Sequence, residues 1–352
     1  MKKKIGVLVT TFGEVEQLSL RTLLPNSWRI LDLITSRIAN LPFPLKAFIA
    51  LMRSLKRKRE WTKHRYRSKL SAINRAQAQA LAQALQTGMQ VGQTDVEFIV
   101  KDAYYFTEPY FEDVLTALHT ACDGIVLLPM IPIESDFACG VGCYLTLEHL
   151  GDTAFSKVRV IKHLWNNSDF IQLSLNHLFE HWQPSTAKKV GLALVAHGTL
   201  VRDRNGEIPK FNTGYRETLA FFERLKAAIE CDSRNRFSSI KLGALNHRLG
   251  GTWMPETLER ALEEFKAEQI DEVVIFPFGF LADNSEADLE AILQVQAAGY
   301  PMQYVPCLND SPDFINWLAA RVRLTSTQLL DTQAFIQILS ERSPAPNPAF
   351  IT

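Results

Sequence analysis

The most constraining feature of the sequence is an internal repeat, because two short segments of the first half recur in the same order in the second. Residues 3–13 (KKIGVLVTTFG) align without a gap with residues 188–198 (KKVGLALVAHG), and residues 123–129 (DGIVLLP) align with residues 271–277 (DEVVIFP). Each segment is a continuous apolar run that ends in a turn residue, which is typical of a parallel strand covered on both faces. Chance likeness between apolar strands is the alternative, and the conserved order of the two pairs favours a duplication.

Helical patterns precede the second segment of each pair, over residues 111–122 and 255–269. Four further strand candidates are Val96–Val100, Val158–Ile161, Ile240–Leu245 and Met302–Pro306. Strands that alternate with helices predict an α/β fold with two similar, doubly wound parallel-sheet (Rossmann-like) halves.

The predicted organisation is an N-terminal half over residues 1–160, a C-terminal half over residues 161–340 and a disordered, Pro-rich tail over residues 341–352. The repeat offset falls from 185 to 148 residues between the two pairs, so the first half contains about 37 additional residues. We place this insertion at about residues 23–69.

The insertion combines an apolar stretch with a basic run. Between Arg53 and Lys69 there are nine Lys or Arg residues and a single acidic residue, Glu60. An apolar hairpin followed by a basic run suits an anionic lipid surface or an anionic amphipathic ligand. A solvated basic helix face is the alternative interpretation.

Charge and cysteine content exclude several classes of protein. The 352 residues include 38 Lys plus Arg and 38 Asp plus Glu, and this balance disfavours a dedicated nucleic-acid binder. Five cysteines, no signal-peptide pattern and no uninterrupted apolar run of transmembrane length are typical of a cytoplasmic protein in a reducing compartment. Contact with the inner membrane face through residues 23–69 is compatible with this expectation.

Two places at predicted strand ends offer chemistry. His197 ends the strand of the second repeat, and ligands of doubly wound sheets bind at the carboxyl ends of strands. An imidazole there can act as a general base or a metal ligand. Its counterpart in the first half is Phe12, so the fold itself does not require a histidine at this position.

The second place is residues 277–290, which follow another strand. Glu286 and Glu290 are four residues apart and share a helix face, where two carboxylates repel each other unless they are solvated, protonated or bound to a cation. Asp283 or Ser285 is expected to cap the helix if the first acidic residues are structural. His197 and this carboxylate row together predict a path for a divalent metal.

Other groups give weaker signals. Cys139 and Cys143 have i, i+4 spacing without a second Cys or His pair at zinc-site spacing, which favours buried thiols. His247 and Arg248, near Trp253, are predicted to lie in a loop. The sequence has neither a Gly-rich phosphate loop nor a Gly-x-Ser-x-Gly elbow.

The whole pattern resembles the ferrochelatase family, whose members have two similar α/β domains and insert ferrous iron into a porphyrin. Ala196-His197-Gly198 is similar to the family's Ser-Ala-His-Gly motif. Residues 279–286 (GFLADNSE) are similar to its Gly-Phe-x-x-Asp-His-x-Glu motif, with Glu286 at the catalytic glutamate. Residues 23–69 resemble the family's hydrophobic active-site lip.

The chain departs from this family at several positions, so it resembles a divergent, bacterial-type member. Asn284 stands where the family usually has His, and the Gly-Asp-Pro-Tyr motif is absent. Tyr104-Tyr105-Phe106 stands where an Arg-Tyr pair is common. The Gln-Ser-Arg segment survives only as Asn246-His247-Arg248.

The resemblance implies a role for each site residue. His197 accepts a proton or binds the incoming metal, and Glu286 faces it across the porphyrin. Glu290 and Asp283 relay charge outward, and Phe12 lines the opposite wall of the cleft.

The implied substrates are ferrous iron and either protoporphyrin IX or coproporphyrin III in haem biosynthesis, without an organic cofactor or a nucleic-acid partner. An iron–sulfur cluster of the kind that some family members hold near the C-terminus is disfavoured, because no cysteine follows Cys307.

Three other functions are alternatives. A sirohydrochlorin-type cobalt or iron chelatase shares the fold, but the long insertion favours a porphyrin with propionates. A tetrapyrrole-binding relative without catalysis is motivated by Asn284 and the altered 246–248 segment. A periplasmic-type ligand-binding protein also has two α/β lobes, and the absence of a signal-peptide pattern and the acidic residues of the Glu286 helix disfavour it.

Overall fold

The computed structural model describes residues 2–35, 42–86, 89–91, 94–247 and 250–342. Residues 343–352 of the predicted disordered tail lie outside the described residues, so that prediction is untested for them. Residues 341 and 342 instead form the end of the last helix.

Each half of the chain contains a parallel sheet. The first sheet consists of β1 (Lys2–Thr11), β2 (Met89–Val91), β3 (Thr94–Tyr104), β4 (Gly124–Pro129) and β5 (Val158–Val160), in the order β2-β3-β1-β4-β5. Only β2 pairs antiparallel in this sheet. The second sheet consists of β6 (Val190–His197), β8 (Phe237–Leu245), β10 (Glu272–Phe276) and β11 (Met302–Tyr304), in the order β11-β10-β6-β8. The short strands β7 (Leu200–Arg202) and β9 (Thr252–Trp253) pair antiparallel beside it.

Helices connect and cover these strands. They are α1 (Leu20–Leu33), α2 (Phe43–Lys63), α3 (Leu70–Leu85), α4 (Phe111–Ala121), α5 (Cys139–Leu150), α6 (Thr153–Lys157), α7 (Ser168–His181), α8 (Tyr215–Cys231), α9 (Leu258–Ala267), α10 (Ala291–Ala297) and α11 (Pro312–Arg342). A π-helical segment, Glu286–Glu290, leads directly into α10. The predicted fold class, two doubly wound parallel-sheet halves, is confirmed.

The repeat extends to the register of the strands. Ile5 of β1 pairs with Gly124 of β4, and their repeat counterparts Val190 and Glu272 pair with each other in the second sheet. Both halves also place equivalent neighbours around the central pair, since β3 lies beside β1 as β8 lies beside β6, and β5 lies beside β4 as β11 lies beside β10. The two sheets therefore share both topology and register, as a duplication predicts.

In both halves, an aspartate side chain accepts a hydrogen bond from the backbone at the start of the central strand, which is β1 in the first sheet and β6 in the second. Asp123 accepts from the backbone N–H of Lys4 at 2.8 Å, and Asp271 accepts from that of Lys189 at 3.0 Å. Partial burial acts to raise the pKa of Asp123, but the bonds from the Lys4 backbone and the Lys3 ammonium outweigh it and hold this pKa below its ordinary value. The aspartate just before β4 or β10 thus fixes the register of that strand against the central strand of its sheet.

The insertion folds as two helices, α1 and α2, that pack against each other. The Ser27 and Ser54 hydroxyls form a buried hydrogen bond of 2.9 Å between them. The expected apolar hairpin is therefore helical, and the basic run begins within α2 and continues past its end at Lys63 to Lys69. Residues 36–41 of the insertion lie outside the described residues.

The last helix, α11, returns to the first half. The Gln333 side chain donates to the backbone carbonyls of Asp123 and Ser156, and Arg323 donates to that of Ala84. One continuous buried cluster includes residues of both sheets, from Ile5 to Leu329. A division at residues 160 and 161 remains a prediction, and α11, which we assigned to the second half, packs on the first.

Candidate active site

The carboxyl ends of the neighbouring strands β6 and β10 bring His197 and Glu286 together. His197 is the last residue of β6, and Glu286 opens the π-helical segment that follows β10. The His197 Nε2 lies 3.8 Å from the Glu286 Oε1. The two residues that sequence reasoning placed at separate strand ends thus face each other across a short gap.

Hydrogen bonds leave the facing atoms available for a ligand. His197 Nδ1 bonds to the carbonyl oxygen of Gly198, which can only accept, so Nδ1 carries the proton. In this tautomer the Nε2 atom presents a lone pair towards Glu286. The Glu286 Oε2 is buried and has no hydrogen-bond partner among the described residues. Because a buried carboxylate oxygen without a partner is costly, this atom is suited to a cation or a protonated substrate.

Gly198 allows the strand ends to approach closely. Its N–H donates to the Leu245 carbonyl of β8 at 2.9 Å. A Cβ at this position would lie 2.8 Å from that carbonyl oxygen and would also overlap the Asn246 side chain. Because a side chain would collide with these atoms, this position requires glycine. The glycine lets the end of β6 lie against the segment that follows β8.

That segment adds a residue that sequence reasoning missed. His247 Nε2 lies 3.6 Å from the Glu286 Oε1, and its ring centroid lies 5.0 Å from that of His197. About half of the His247 side chain remains open to solvent, but protein surrounds the site. The resulting loss of hydration lowers the pKa of His247 to about 4, against the opposing charge of Glu286, so the ring is neutral near pH 7.

The prediction that His247 lies in a loop is confirmed, whereas its position in the site was not foreseen. His247 follows the predicted strand Ile240–Leu245 by two residues. The strand-end rule that singled out His197 would have found it too. Arg248 lies outside the described residues.

Asn284 caps the segment that presents Glu286. Its Oδ1 accepts from the backbone N–H groups of Glu286, at 2.9 Å, and Ala287, at 3.2 Å. Its Nδ2 donates to the Ala282 carbonyl at 3.0 Å. Of the two residues expected to cap this helix, Ser285 occupies the N-cap position without a side-chain capping bond and Asp283 bonds elsewhere. The Asn284 amide supplies the cap instead. Asn284, which stands where the family usually has His, therefore has a structural role in this chain.

Glu14, from the loop after β1, holds the same segment from the first half of the chain. Its carboxylate accepts from the Ser285 backbone N–H at 3.1 Å, from the Ser285 hydroxyl, and from the Ser68 hydroxyl at 2.5 Å. Burial raises the pKa of Glu14, while the nearby Arg57 and these hydrogen bonds oppose the shift. This residue connects β1, the base of the insertion and the Glu286 segment.

A second connection runs from the insertion to the same segment. The Tyr66 hydroxyl donates to Asp288 at 2.6 Å, and the Lys69 ammonium lies 3.2 Å from that carboxylate. Both residues lie between α2 and α3. The base of the insertion therefore bonds directly to the turn that begins with Glu286.

The other acidic residues of the predicted site have different surroundings. Loss of hydration and the neighbouring charge of Glu286 raise the pKa of Glu290 to about 7. Asp283 is buried and accepts from the Tyr304 hydroxyl at 2.8 Å, the Cys307 N–H at 2.9 Å and the Asn309 amide at 3.1 Å. These bonds give Asp283 a role in holding the turn, and a role in charge relay stays a prediction for both residues.

Phe12 follows β1 and stacks on Phe106 at 5.5 Å between ring centroids, and it makes a T-shaped contact with Tyr105 at 6.1 Å. Its predicted position in the wall of the cleft stays a prediction.

The charge of Arg53, on α2, interacts with that of Glu286. Loss of hydration and, to a smaller extent, the positive charge of the neighbouring Arg57 lower the pKa of Arg53 to about 10, so its guanidinium stays charged at neutral pH.

Cys139 and Cys143 are partly buried, one turn apart at the start of α5, and burial raises the pKa of Cys139 to about 11. Among the described residues, the three-residue group that could hold a metal ion is His197, His247 and Glu286, without a cysteine. The expectation of buried thiols is therefore met only in part, and that they bind no metal stays a prediction.

Comparison with known proteins identifies relatives along almost the whole chain. The family model described as Ferrochelatase matches residues 4–326. A ferrochelatase of Rippkaea orientalis is 25% identical over 338 residues, which cover 91% of this chain and 82% of that protein. A ferrochelatase of Neisseria meningitidis serogroup C is 25% identical over 234 residues, which cover 64% of this chain and 66% of the relative.

Solved structures show a looser likeness. A structure of SirB from Bacillus subtilis with Fe3+ has a TM-score of 0.48 and 14% identity, and the match covers 72% of this chain and 90% of that one. A sirohydrochlorin chelatase from the spizizenii subspecies of the same organism, in complex with cobalt, has a TM-score of 0.45 and 9% identity, with 92% and 95% covered.

Proposed function

This chain belongs to the ferrochelatase family, and we propose that it inserts ferrous iron into a porphyrin. The observation that supports this proposal most directly is the pair formed by His197 and Glu286. The two side chains lie 3.8 Å apart at the carboxyl ends of neighbouring strands, at the positions that match the two site motifs of the family.

Metal insertion requires the removal of two pyrrole N–H protons and the exchange of the metal's water for ring nitrogens. A flat macrocycle directs its nitrogen lone pairs inward, so binding energy from the rest of the ring can be used to bend it towards the transition state. His197, with a free Nε2 lone pair, accepts a pyrrole proton or binds the iron. Glu286 faces it, with an unpartnered oxygen for the metal or a proton. Glu290, on the same π-helical segment, passes charge outward.

The insertion is proposed to bind the porphyrin periphery. Arg53 and Arg57 lie on the side of α2 that faces the site, where their charges act on Glu286 and Glu14. Guanidinium groups suit the carboxylates of porphyrin propionates. Protoporphyrin IX has two such groups and coproporphyrin III has four, and both are candidate substrates.

The opposite face of α2 is proposed to rest on a membrane surface. This face exposes large apolar side chains, with Phe43 71% and Phe48 59% accessible, and the others are Leu45, Leu51, Met52 and Leu55. Exposed basic residues, among them Lys56, extend from the same helix. No described helix is both long and apolar enough to cross a membrane. An amphipathic helix with this composition suits the interface of an anionic bilayer.

The chelatase proposal is tested by anaerobic incubation of the purified protein with ferrous iron and either protoporphyrin IX or coproporphyrin III, followed through the Soret and visible bands. We expect metallation above the rate without protein, and we expect Glu286→Gln and His197→Ala to lose at least 100-fold in kcat. Glu16→Gln, an exposed change, is the control. A shifted Soret band without metallation would instead indicate a porphyrin-binding relative, and metallation of sirohydrochlorin alone would indicate the other chelatase class.

Membrane contact is tested by sedimentation with vesicles that contain phosphatidylserine. Phe48→Ser removes a side chain whose insertion would contribute about 1–2 kcal/mol, so the partition coefficient should fall roughly tenfold. Phe155→Ser, which changes an equally exposed phenylalanine on α6, is the matched control and should have no effect. Equal sedimentation of both variants and the unaltered protein would contradict this role of α2.

A further inference from the structure

We propose that His247 is a third protein ligand of the incoming metal ion, so that His197, His247 and Glu286 form a two-imidazole, one-carboxylate site that holds the ion before it enters the ring. This inference rests on the proposed function for its purpose, but the site is defined by the geometry of the three side chains. It assigns a metal-binding role to a residue that the sequence motifs do not single out.

The distances are those of a site that can close around one ion. One ring nitrogen of each histidine and a Glu286 oxygen all lie within 4.8 Å of one another. The two Nε2 atoms are 3.8 Å and 3.6 Å from the same carboxylate oxygen, Oε1. Bond lengths of about 2.1 Å in tetrahedral geometry separate ligand atoms by about 3.4 Å, so side-chain shifts of a few tenths of an ångström to about 1 Å suffice.

The chemistry of the three groups fits a borderline divalent ion. Imidazole nitrogen and carboxylate oxygen suit Fe²⁺, Co²⁺ and Zn²⁺ better than Mg²⁺ or Ca²⁺, which prefer oxygen ligands alone. Three protein ligands also leave positions open for water or for pyrrole nitrogens, as a site that must release its ion requires. The unpartnered Glu286 Oε2 gives the carboxylate a second donor atom for the same ion.

The scaffold holds His247 in place independently of any ligand. Asn246 donates to the Met254 carbonyl at 2.7 Å, and the Met254 N–H donates to the Thr199 carbonyl at 2.9 Å. Trp253 packs edge-on against the His247 ring, with 5.4 Å between centroids. The segments after β6 and β8 are thus fastened to each other, and preorganised ligands lose less freedom when an ion binds.

The test uses the purified full chain and Co²⁺ alone, without porphyrin, because Co²⁺ reports its coordination through visible absorption. We expect the unaltered protein to bind one Co²⁺, and His247→Ala to weaken its affinity at least tenfold. His149→Ala is the matched control, since His149 is exposed on α5 and bonds to its own helix. Circular dichroism checks that each variant is folded.

A second variant distinguishes coordination from an indirect effect. In His247→Cys the side chain remains a metal ligand, so Co²⁺ should bind within about tenfold of the original affinity and produce a sulfur-to-cobalt charge-transfer band in the near ultraviolet. A structural role for His247 would not produce that band. Its absence from a folded His247→Cys protein, or unchanged Co²⁺ affinity in His247→Ala, would overturn the inference.

The porphyrin assay keeps this inference separate from the proposed function. If iron is inserted while His247→Ala binds Co²⁺ as tightly as the unaltered protein, the enzyme is a chelatase without this ligand. If Co²⁺ binding depends on His247 while no porphyrin is metallated, the metal site stands and the chelatase proposal fails. For an active enzyme we expect His247→Ala to raise the KM for iron at least tenfold and the KM for porphyrin less than twofold.

Discussion

Glu14 offers the sharpest test of how the first half of the chain positions the catalytic segment. In Glu14→Ala, the Ser285 N–H and the Ser68 and Ser285 hydroxyls lose their common acceptor. At about 1 kcal/mol for each hydrogen bond, and with a discount because Glu14 is only half-buried, the free energy of unfolding should fall by about 2 kcal/mol. For a chain of this length that corresponds to a melting temperature lower by about 3 °C.

The catalytic effect should exceed the effect on stability. Ser285 precedes Glu286, so a free Ser285 lets the carboxylate move relative to the bound ring, and a displacement of about 1 Å can cost up to 100-fold in rate. We expect kcat to fall at least tenfold in Glu14→Ala, while the KM for porphyrin changes less than twofold. Glu14→Gln is the matched variant, because its amide can accept from the Ser285 N–H and donate to a hydroxyl.

Thermal unfolding followed by circular dichroism and the anaerobic metallation assay measure the two effects on the same samples. Glu14→Gln should retain kcat within about threefold and melt within about 1 °C of the unaltered protein. Early melting of Glu14→Ala with an unchanged kcat would refute this positioning role. An equal loss of activity in Glu14→Gln and Glu14→Ala would refute it too, because charge rather than hydrogen bonding would then be the cause.

Three other contacts lead to further predictions. Gly198→Ala should lose at least tenfold in metallation rate and about 1–3 kcal/mol of stability, measured by urea unfolding, because its Cβ overlaps the end of the neighbouring strand. Arg53→Ala should raise the KM for porphyrin at least fivefold with little change in the KM for iron, whereas the exposed Arg59→Ala should change neither. Asp123→Asn should destabilise the protein at pH 7, and because the folded-state pKa of Asp123 lies below its ordinary value of 3.8, the difference from the unaltered protein should shrink as the pH falls through that region. An equal difference at pH 7 and pH 3 in urea titrations would contradict this assignment.

The repeated strands could be predicted from the sequence because their physical requirement is simple. A strand covered on both faces must be apolar throughout, and the residues of β1 and β6 show this pattern in the sequence itself. The rule that ligands bind at the carboxyl ends of parallel strands then placed His197 and Glu286 at one edge of the second sheet. These predictions depended on the pattern of apolar residues and on the position of each residue relative to a strand end, and both can be read from the sequence.

The missed features depend on contacts between distant segments. His247 lies in an irregular loop, and its distance from Glu286 follows only from the close approach at Gly198. Asn284 caps the π-helical segment because its amide reaches two N–H groups, which spacing alone could not distinguish from capping by Asp283 or Ser285. Composition and periodicity contain no signal for either arrangement.

The position of α11 has a consequence for how the chain folds during synthesis. The first sheet is complete once β5 has been made, yet the helix that covers β4 and packs against α3 is the last described element of the chain. Leu329 of this helix fills the space beside Gly124, so the part of that face over β4 stays uncovered until α11 has been made. Contacts of such long sequence separation slow folding and prolong the exposure of apolar surface in the nascent first half.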